Sequence, residues 1–304
     1  MSRDLSPQEL DHVLPSLADP RPIDSEPRER EPGRSTATSR TPRHAPERFS
    51  RDRLREIRFE RGRALASRQG SSYQLSESQI RTIIELGKFR VISRHDLAQH
   101  VYGGEPERAD RDIENLIRKR VVRKGVFGGP EASPRELLTL TNTGRELLRT
   151  NGLVSRSQAV YAGVVRPREV NHDADLYRLY QKEAARIEHQ GGWNLRVILE
   201  CELKEKIHND IARLGAAARS EIAAWHGLRV VGNKIPVPDL RIEYETQDGE
   251  LAHLDLELVT EHYGGRHTAD KVRAGFSLYT PHGEASRFRR VLGARGMTPD
   301  ILSL

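Results

Sequence analysis

Residues 235–261, IPVPDLRIEYETQDGELAHLDLELVTE, decide how the second half of this chain folds. Apolar and polar residues alternate on both sides of Asp248-Gly249, which is the period of a half-buried strand pair joined by a turn. The register follows from which residues share a face, because a slip of one residue would turn every leucine outward. A two-residue loop at Asp248-Gly249 would set Arg241 against Leu256. A three-residue loop, 247–249, opposes Leu240 to Leu256, Ile242 to Leu254 and Tyr244 to Ala252, with Gly249 taking the left-handed backbone that such a loop needs. The polar partners then match as well: Arg241 meets Asp255, Glu243 meets His253, and Asp239 falls opposite Glu257. Both carboxylates are expected at one sheet end, on the face away from the leucines.

Upstream of the hairpin, residues 170–190 place Leu176, Leu179, Tyr180, Ala184 and Ile187 at helical spacing, and LRVILE at 195–200 is β-prone. An alanine-rich helical stretch covers 211–225. Downstream, a helix is expected after Gly264-Gly265, and it carries Lys271. His172 is read as a hydrogen-bonded, site-supporting residue, His262 and His267 as solvent-exposed, and Trp193 and Trp225 as core or interface aromatics.

The first half has another pattern. Ser76 and Gln79 form a capping box ahead of Ile80, Ile83 and Ile84, and Ser93 with Asp96 opens a second helix that stops at Gly103-Gly104. Pro106 suits the first turn of a third helix, PERADRDIENLIRKR, with Ala109, Ile113, Leu116 and Ile117 on one face. VVRKGVFGG and ELLTLT then form two β-prone runs across the polar loop PEASPR, and LTNTGRELL leads into a helix. This order resembles a winged helix-turn-helix over residues 73–150, with double-stranded DNA as the implied partner. Arg108, Arg111 and Asn115 lie on the exposed face of the third helix. Arg can pair with guanine and Asn with adenine in the major groove. Arg118, Lys119, Arg123 and Lys124 are placed for phosphates. The competing reading is a solvated helix face in which Glu107, Asp110, Asp112 and Glu114 pair with those arginines.

Composition fits this division. Eight of the sixteen prolines fall in residues 1–50, with little aliphatic clustering, so that segment is expected to be a disordered tail. Residues 51–72 are expected to form a basic linker or arm with a short arginine-bearing helix. The net charge of +6 and pI near 9.5 favour an anionic partner. One cysteine, Cys201, excludes an intramolecular disulfide and any cysteine-rich zinc module. No apolar run approaches a membrane span and no signal-peptide core is seen, so a cytoplasmic location without membrane insertion is expected. P-loop, GxGxxG, GxSxG and HExxH patterns are absent from the sequence.

Pro238-Asp239, followed some twenty residues later by Glu257 on the next strand, resembles the PD-(D/E)xK phosphodiesterases. That resemblance implies a restriction-endonuclease-like domain over residues 165–292, a short C-terminal tail over 293–304, and Asp239 and Glu257 as ligands of Mg2+ or Mn2+. The expected fold class is α+β or α/β, multidomain. Val259 stands where that superfamily carries its lysine, leaving Lys271 to supply the charge from the following helix. LTNTGRELL, His172, Trp193, Pro238-Asp239, Glu257, Lys271 and Tyr279 together resemble the replication-relaxation family of plasmids and conjugative elements. The resemblance implies a role in replication, DNA relaxation or transfer, with a relaxase or replication protein as partner, while metal-dependent nicking is what the PD-(D/E)xK pattern adds. The alternative is a non-catalytic regulator or relaxosome accessory protein, in which the second domain forms a homodimer or binds a partner.

Overall fold

Ser76 opens the first helix as the sequence predicts. Its hydroxyl accepts from Gln79 N and the Gln79 side chain returns to Ser76 N, so α1 (Glu77–Lys88) starts on a complete capping box. The structure is a computed structural model, and it describes residues 63–68, 71–127, 135–163, 169–260, 265–280, 285–293 and 301–303. All belong to a compact unit running from Glu47 to Leu304. The expected tail at 1–50 lies outside the described residues.

Two strands precede α1. Strands β1 (Arg63–Arg68) and β2 (Ser71–Ser76) pair antiparallel. The helix expected in this arm is therefore not formed at 63–68, where pairing to β2 satisfies the backbone instead; residues 51–62 are not among those described. After α1 come β3 (Ile92–Ser93), α2 (Arg94–His100) and α3 (Pro106–Arg118). Ser93 caps α2 by accepting from Asp96 N at 3.0 Å, and Pro106 occupies the first turn of α3. Strands β4 (Val122–Phe127) and β5 (Arg135–Leu140) form a hairpin whose tip is not described, and β3 joins the far edge of β5. Helix α4 (Asn142–Thr150) follows, capped by Thr141. A side chain at Gly144 would place its Cβ 2.6 Å from Val121 O, so the glycine of LTNTGRELL is there for close approach of backbones.

Residues 151–163 tie this part to the next. Tyr161 N donates to Gly87 O at 2.8 Å and Gly163 N to Leu140 O at 2.9 Å. The buried Gln158 amide pairs with both backbone groups of Val197, accepting at 3.0 Å and donating at 2.9 Å. It thereby closes the open edge of β6 (Trp193–Leu199) as a neighbouring strand would.

The second part is a five-stranded sheet of order β10 (Ile301–Ser303), β9 (Ser277–Thr280), β8 (Leu251–Leu258), β7 (Leu240–Glu245), β6. Strands β7 (Leu240–Glu245) and β8 (Leu251–Leu258) pair in the predicted register, with Leu240 opposite Leu256, Arg241 opposite Asp255 and Tyr244 opposite Ala252. Gly249 takes φ 81° in the three-residue loop. Helix α5 (Val170–His189) covers one face, where Leu176, Tyr177, Leu179, Tyr180, Ala184 and Ile187 meet the inward leucines of β7 and β8. The same apolar cluster continues without a break into α1, α3 and β5.

Beyond β6 the strand stops at Leu199 and helix α6 (Glu200–Leu214) begins at once; the sequence pattern had placed helix only from 211. Helix α7 (Arg219–Trp225) and α8 (Gly265–Ala274) follow, and strand β9 (Ser277–Thr280) lies parallel to β8. Helix α9 (Ala285–Gly293) leads to β10 (Ile301–Ser303), so part of the segment read as a C-terminal tail is a strand with Ile301 buried. Trp193 and Trp225 are 38% and 54% exposed, not core residues. Overall the described residues are α+β. Among them no helix is long and apolar enough to cross a membrane.

Candidate functional site

Alternation along β7 and β8 sends Leu240, Ile242, Leu256 and Leu258 toward α5 and leaves Asp239, Arg241, Asp255 and Glu257 for the other face. That face is not solvent. A second apolar cluster, with Ile198, Leu203, Ile207, Ile222, Val237, Ala274 and Phe276, covers it. The acids and the lysine are accordingly buried: Asp239 is 5% exposed, Glu257 0% and Lys271 4%. Arg241 holds Asp255 through two hydrogen bonds of 2.6 and 2.8 Å, the cross-strand pair that the register implied.

Three separate elements bring the acids and the lysine together. Asp239 immediately precedes β7, Glu257 is one residue from the end of β8, and Lys271 projects from α8. The Lys271 ammonium donates to Glu257 Oε2 at 2.8 Å and to Val237 O at 2.7 Å. Asp239 N lies 3.3 Å from Glu257 Oε2, and Asp239 Oδ2 accepts from Leu258 N at 2.9 Å. His172, near the start of α5, places Nε2 3.2 Å from the same Oδ2. His172 is thus hydrogen-bonded, as the sequence suggested. Val259, in the position where a lysine was missed, is a buried core residue. Tyr279 is buried too and donates to Glu183.

The charges divide the two acids. Burial presses Asp239 toward its neutral form, but the His172 hydrogen bond and charge, Lys271 and Leu258 N–H prevail and hold its pKa below the ordinary 3.8. Glu257 moves the other way: burial, then the Asp239 charge, outweigh Lys271 and raise it from 4.5 to about 8. His172 loses affinity for its proton through burial but regains more from Asp173 and Asp239, and lies well above 6.5. The surroundings thus push the two acids in opposite directions, Asp239 toward its ionised form and Glu257 toward its protonated one.

Among the described residues no group of three or more His, Cys, Asp or Glu is placed to hold a metal ion. Two carboxylates nevertheless suit magnesium, which keeps several waters and is bound through one or two such groups. Glu257 Oε1 is buried without a hydrogen bond of its own, but the Lys271 ammonium 2.7 Å away already supplies its counter-charge, so a metal ion there would have to displace the lysine.

On α3 the arginines and acids are sorted by partner. Asp110 accepts from Arg94 at 2.7 Å, Glu114 lies 3.4 Å from the same guanidinium, and Asp112 accepts from Ser78 and Gln79. Arg94 thus holds Asp110 and Glu114 at the surface and α1 holds Asp112, while Glu107 is exposed together with Arg108, Arg111 and Arg118 on α3 and Arg123 and Lys124 on β4. Lys124 has a loose contact of 3.5 Å to Glu114 and Arg108 one of 4.0 Å to Glu105. Two assignments change. Asn115 turns toward α1, where its Oδ1 accepts from Gln79 at 3.3 Å, because it sits beside Asp112 on that side of the helix. Lys119 donates to Gln74 O at 2.6 Å and so anchors β2 to the end of α3. Comparisons with family models, with curated proteins and with solved structures found no match for this chain.

Proposed function

We propose that the chain is a DNA-binding protein with two parts: a winged helix-turn-helix that docks α3 in the major groove, and a PD-(D/E)xK-like domain with a metal-dependent phosphodiester-cleaving site. Its setting would be replication, relaxation or transfer of a mobile element. The observation that carries this reading is the meeting of Asp239, Glu257 and Lys271, which supplies the two acids and, from α8, the cation that the strand itself lacks. Exposed Arg108, Arg111, Arg118, Arg123 and Lys124 support the DNA contact, with Asp110 held by Arg94 and Asp112 by Ser78 and Gln79.

Asp239 and Glu257 would hold a divalent cation, whose chemistry is to polarise a phosphate and lower the pKa of water. Lys271 holds a positive charge at Glu257 and fixes the carboxylate, with its ammonium 2.8 Å from Oε2 and 2.7 Å from Oε1. His172 orients Asp239 through Oδ2. The burial of all three residues favours a second reading, a non-catalytic regulator or accessory protein in which the pair is structural.

Calorimetry and plasmid nicking separate the two. Magnesium or manganese should bind the protein and fail to bind an Asp239→Asn, Glu257→Gln double variant, whose amides keep the shape of the buried acids. Supercoiled plasmid should be nicked only with metal, and Lys271→Met should abolish nicking. Metal binding without nicking points to the regulator, and no metal binding at all removes the nuclease reading.

A further inference from the structure

The acidic pair is tied to the helical unit by the first two turns of α5. His172, which holds Asp239, is itself held: its Nδ1 lies 3.6 Å from Asp173 Oδ1. Asp173 Oδ2 is buried without a hydrogen-bond partner and faces Arg90 Nη1 at 3.6 Å. Arg90 stands in the short connection from α1 to β3. Farther along α5, Asp175 accepts from Arg135 at 3.1 Å and pairs with Arg178 at 3.3 Å. Arg135 is the first residue of β5, directly after the hairpin tip. Arg178 reaches back to Asp96 on α2 at 3.2 Å, and Asp96 lies 3.8 Å from Arg135 on its other oxygen.

Apolar packing fills the space between these ion pairs. Val91 and Leu137 of the helical unit meet Val170 and Ala174 of α5 in a buried cluster, and Phe89 stands edge-on to Tyr177 with ring centroids 5.2 Å apart. Close-packed contacts of this kind transmit displacement rather than absorb it. His172 and Asp175 are three residues apart on one helix, so their side chains are neighbours and share its motion.

From this arrangement we infer that His172 is the positioning residue of the acidic pair, and that DNA docking on α3 and strand β4 resets it through Asp173 and Asp175. The inference rests on reading that surface as the DNA contact. Coupling of this sort is reciprocal, so a change at Asp239 alters DNA affinity by the factor that DNA alters the site.

The test uses the full chain with 15N-labelled histidine and a mixed-sequence DNA duplex. The His172 ring signals, assigned by their loss in His172→Gln, should move when the duplex saturates the protein. Asp175→Asn should bind the duplex within about twofold of the parent, since a partly exposed ion pair away from α3 contributes little, yet it should lose most of that movement. Arg178→Gln, at the exposed end of the same network, carries the same expectation if Asp175→Asn fails to fold. Asp239→Asn should change DNA affinity about fivefold or more, and by less when combined with Asp175→Asn. Binding with no movement at His172 overturns the coupling alone, as does full movement in both network variants. No duplex binding overturns the coupling and the DNA reading together.

Discussion

Replacing Lys271 with methionine tests the centre of the site through its stability. The ammonium has two partners, Glu257 Oε2 at 2.8 Å and Val237 O at 2.7 Å, and all three lie in a buried setting. Its removal orphans the carbonyl, at a cost of about 1–3 kcal/mol, and deletes a charge-assisted bond worth about 1.5–3 kcal/mol. Methionine retains most of the volume, so little is added for a cavity. Some of the cost is offset at low pH because Glu257, already raised to about 8, can stay neutral. The expected loss is therefore about 3 kcal/mol at pH 6 and nearer 5 at pH 9, where the unpaired carboxylate must be buried charged. Urea unfolding of the full chain in chelator at both pH values measures it. A Lys271→Met, Glu257→Gln double variant should lose less than the sum of the single losses, by about 1–3 kcal/mol. A loss below about 1 kcal/mol at both pH values, or simple additivity, would refute the pairing on which the site is built.

The metal-free protein should be most stable in mildly acidic solution. Glu257 has a folded pKa of about 8 against 4.5 unfolded, so its contribution is complete below 4.5 and is lost as pH rises through 8. His172, raised above 6.5, loses its contribution in the same direction, whereas Asp239, held below 3.8, loses its own only as pH falls past that value. Melting temperatures in chelator should fall between pH 5 and 9, and Glu257→Gln should flatten the fall; a flat parent profile would contradict the shift. Gly144→Ala should destabilise by about 1–3 kcal/mol or more, because the added methyl stands 2.6 Å from Val121 O; thermal unfolding within a few tenths of the parent would deny the close approach. Arg111→Ala should reduce discrimination between target and random duplex, while Lys124→Ala should weaken both alike and lower the salt slope by about one. Titrations across salt decide this, and unchanged discrimination in both Arg108→Ala and Arg111→Ala would remove α3 as the reader.

The sequence by itself determined the local structure wherever neighbours along the chain supply the physics. The capping box at Ser76 and Gln79, the start of α2 at Ser93 and the first turn of α3 at Pro106 depend on groups three residues apart or fewer. The hairpin register was legible too, since period-two alternation and a glycine with positive φ admit one pairing that keeps the leucines together. The strand at 63–68 and the helix start at Glu200 were not, because pairing and packing override a weak local pattern there.

What only the tertiary structure decided is the environment of the charges. A face carrying Asp239, Arg241, Asp255 and Glu257 has the pattern of a solvated surface, and nothing local shows that α6, α7 and α8 will cover it. Lys271 is distant from the strand position held by Val259, and the turn of α8 back over the sheet end brings its ammonium to Glu257. Asn115 lies on α3 with the exposed arginines and Lys119 just past its end, yet hydrogen bonds to Gln79 and Gln74 engage both within the protein. In each case the deciding contact joins residues far apart in sequence, and the resulting desolvation is a property of the assembled layers rather than of any one segment.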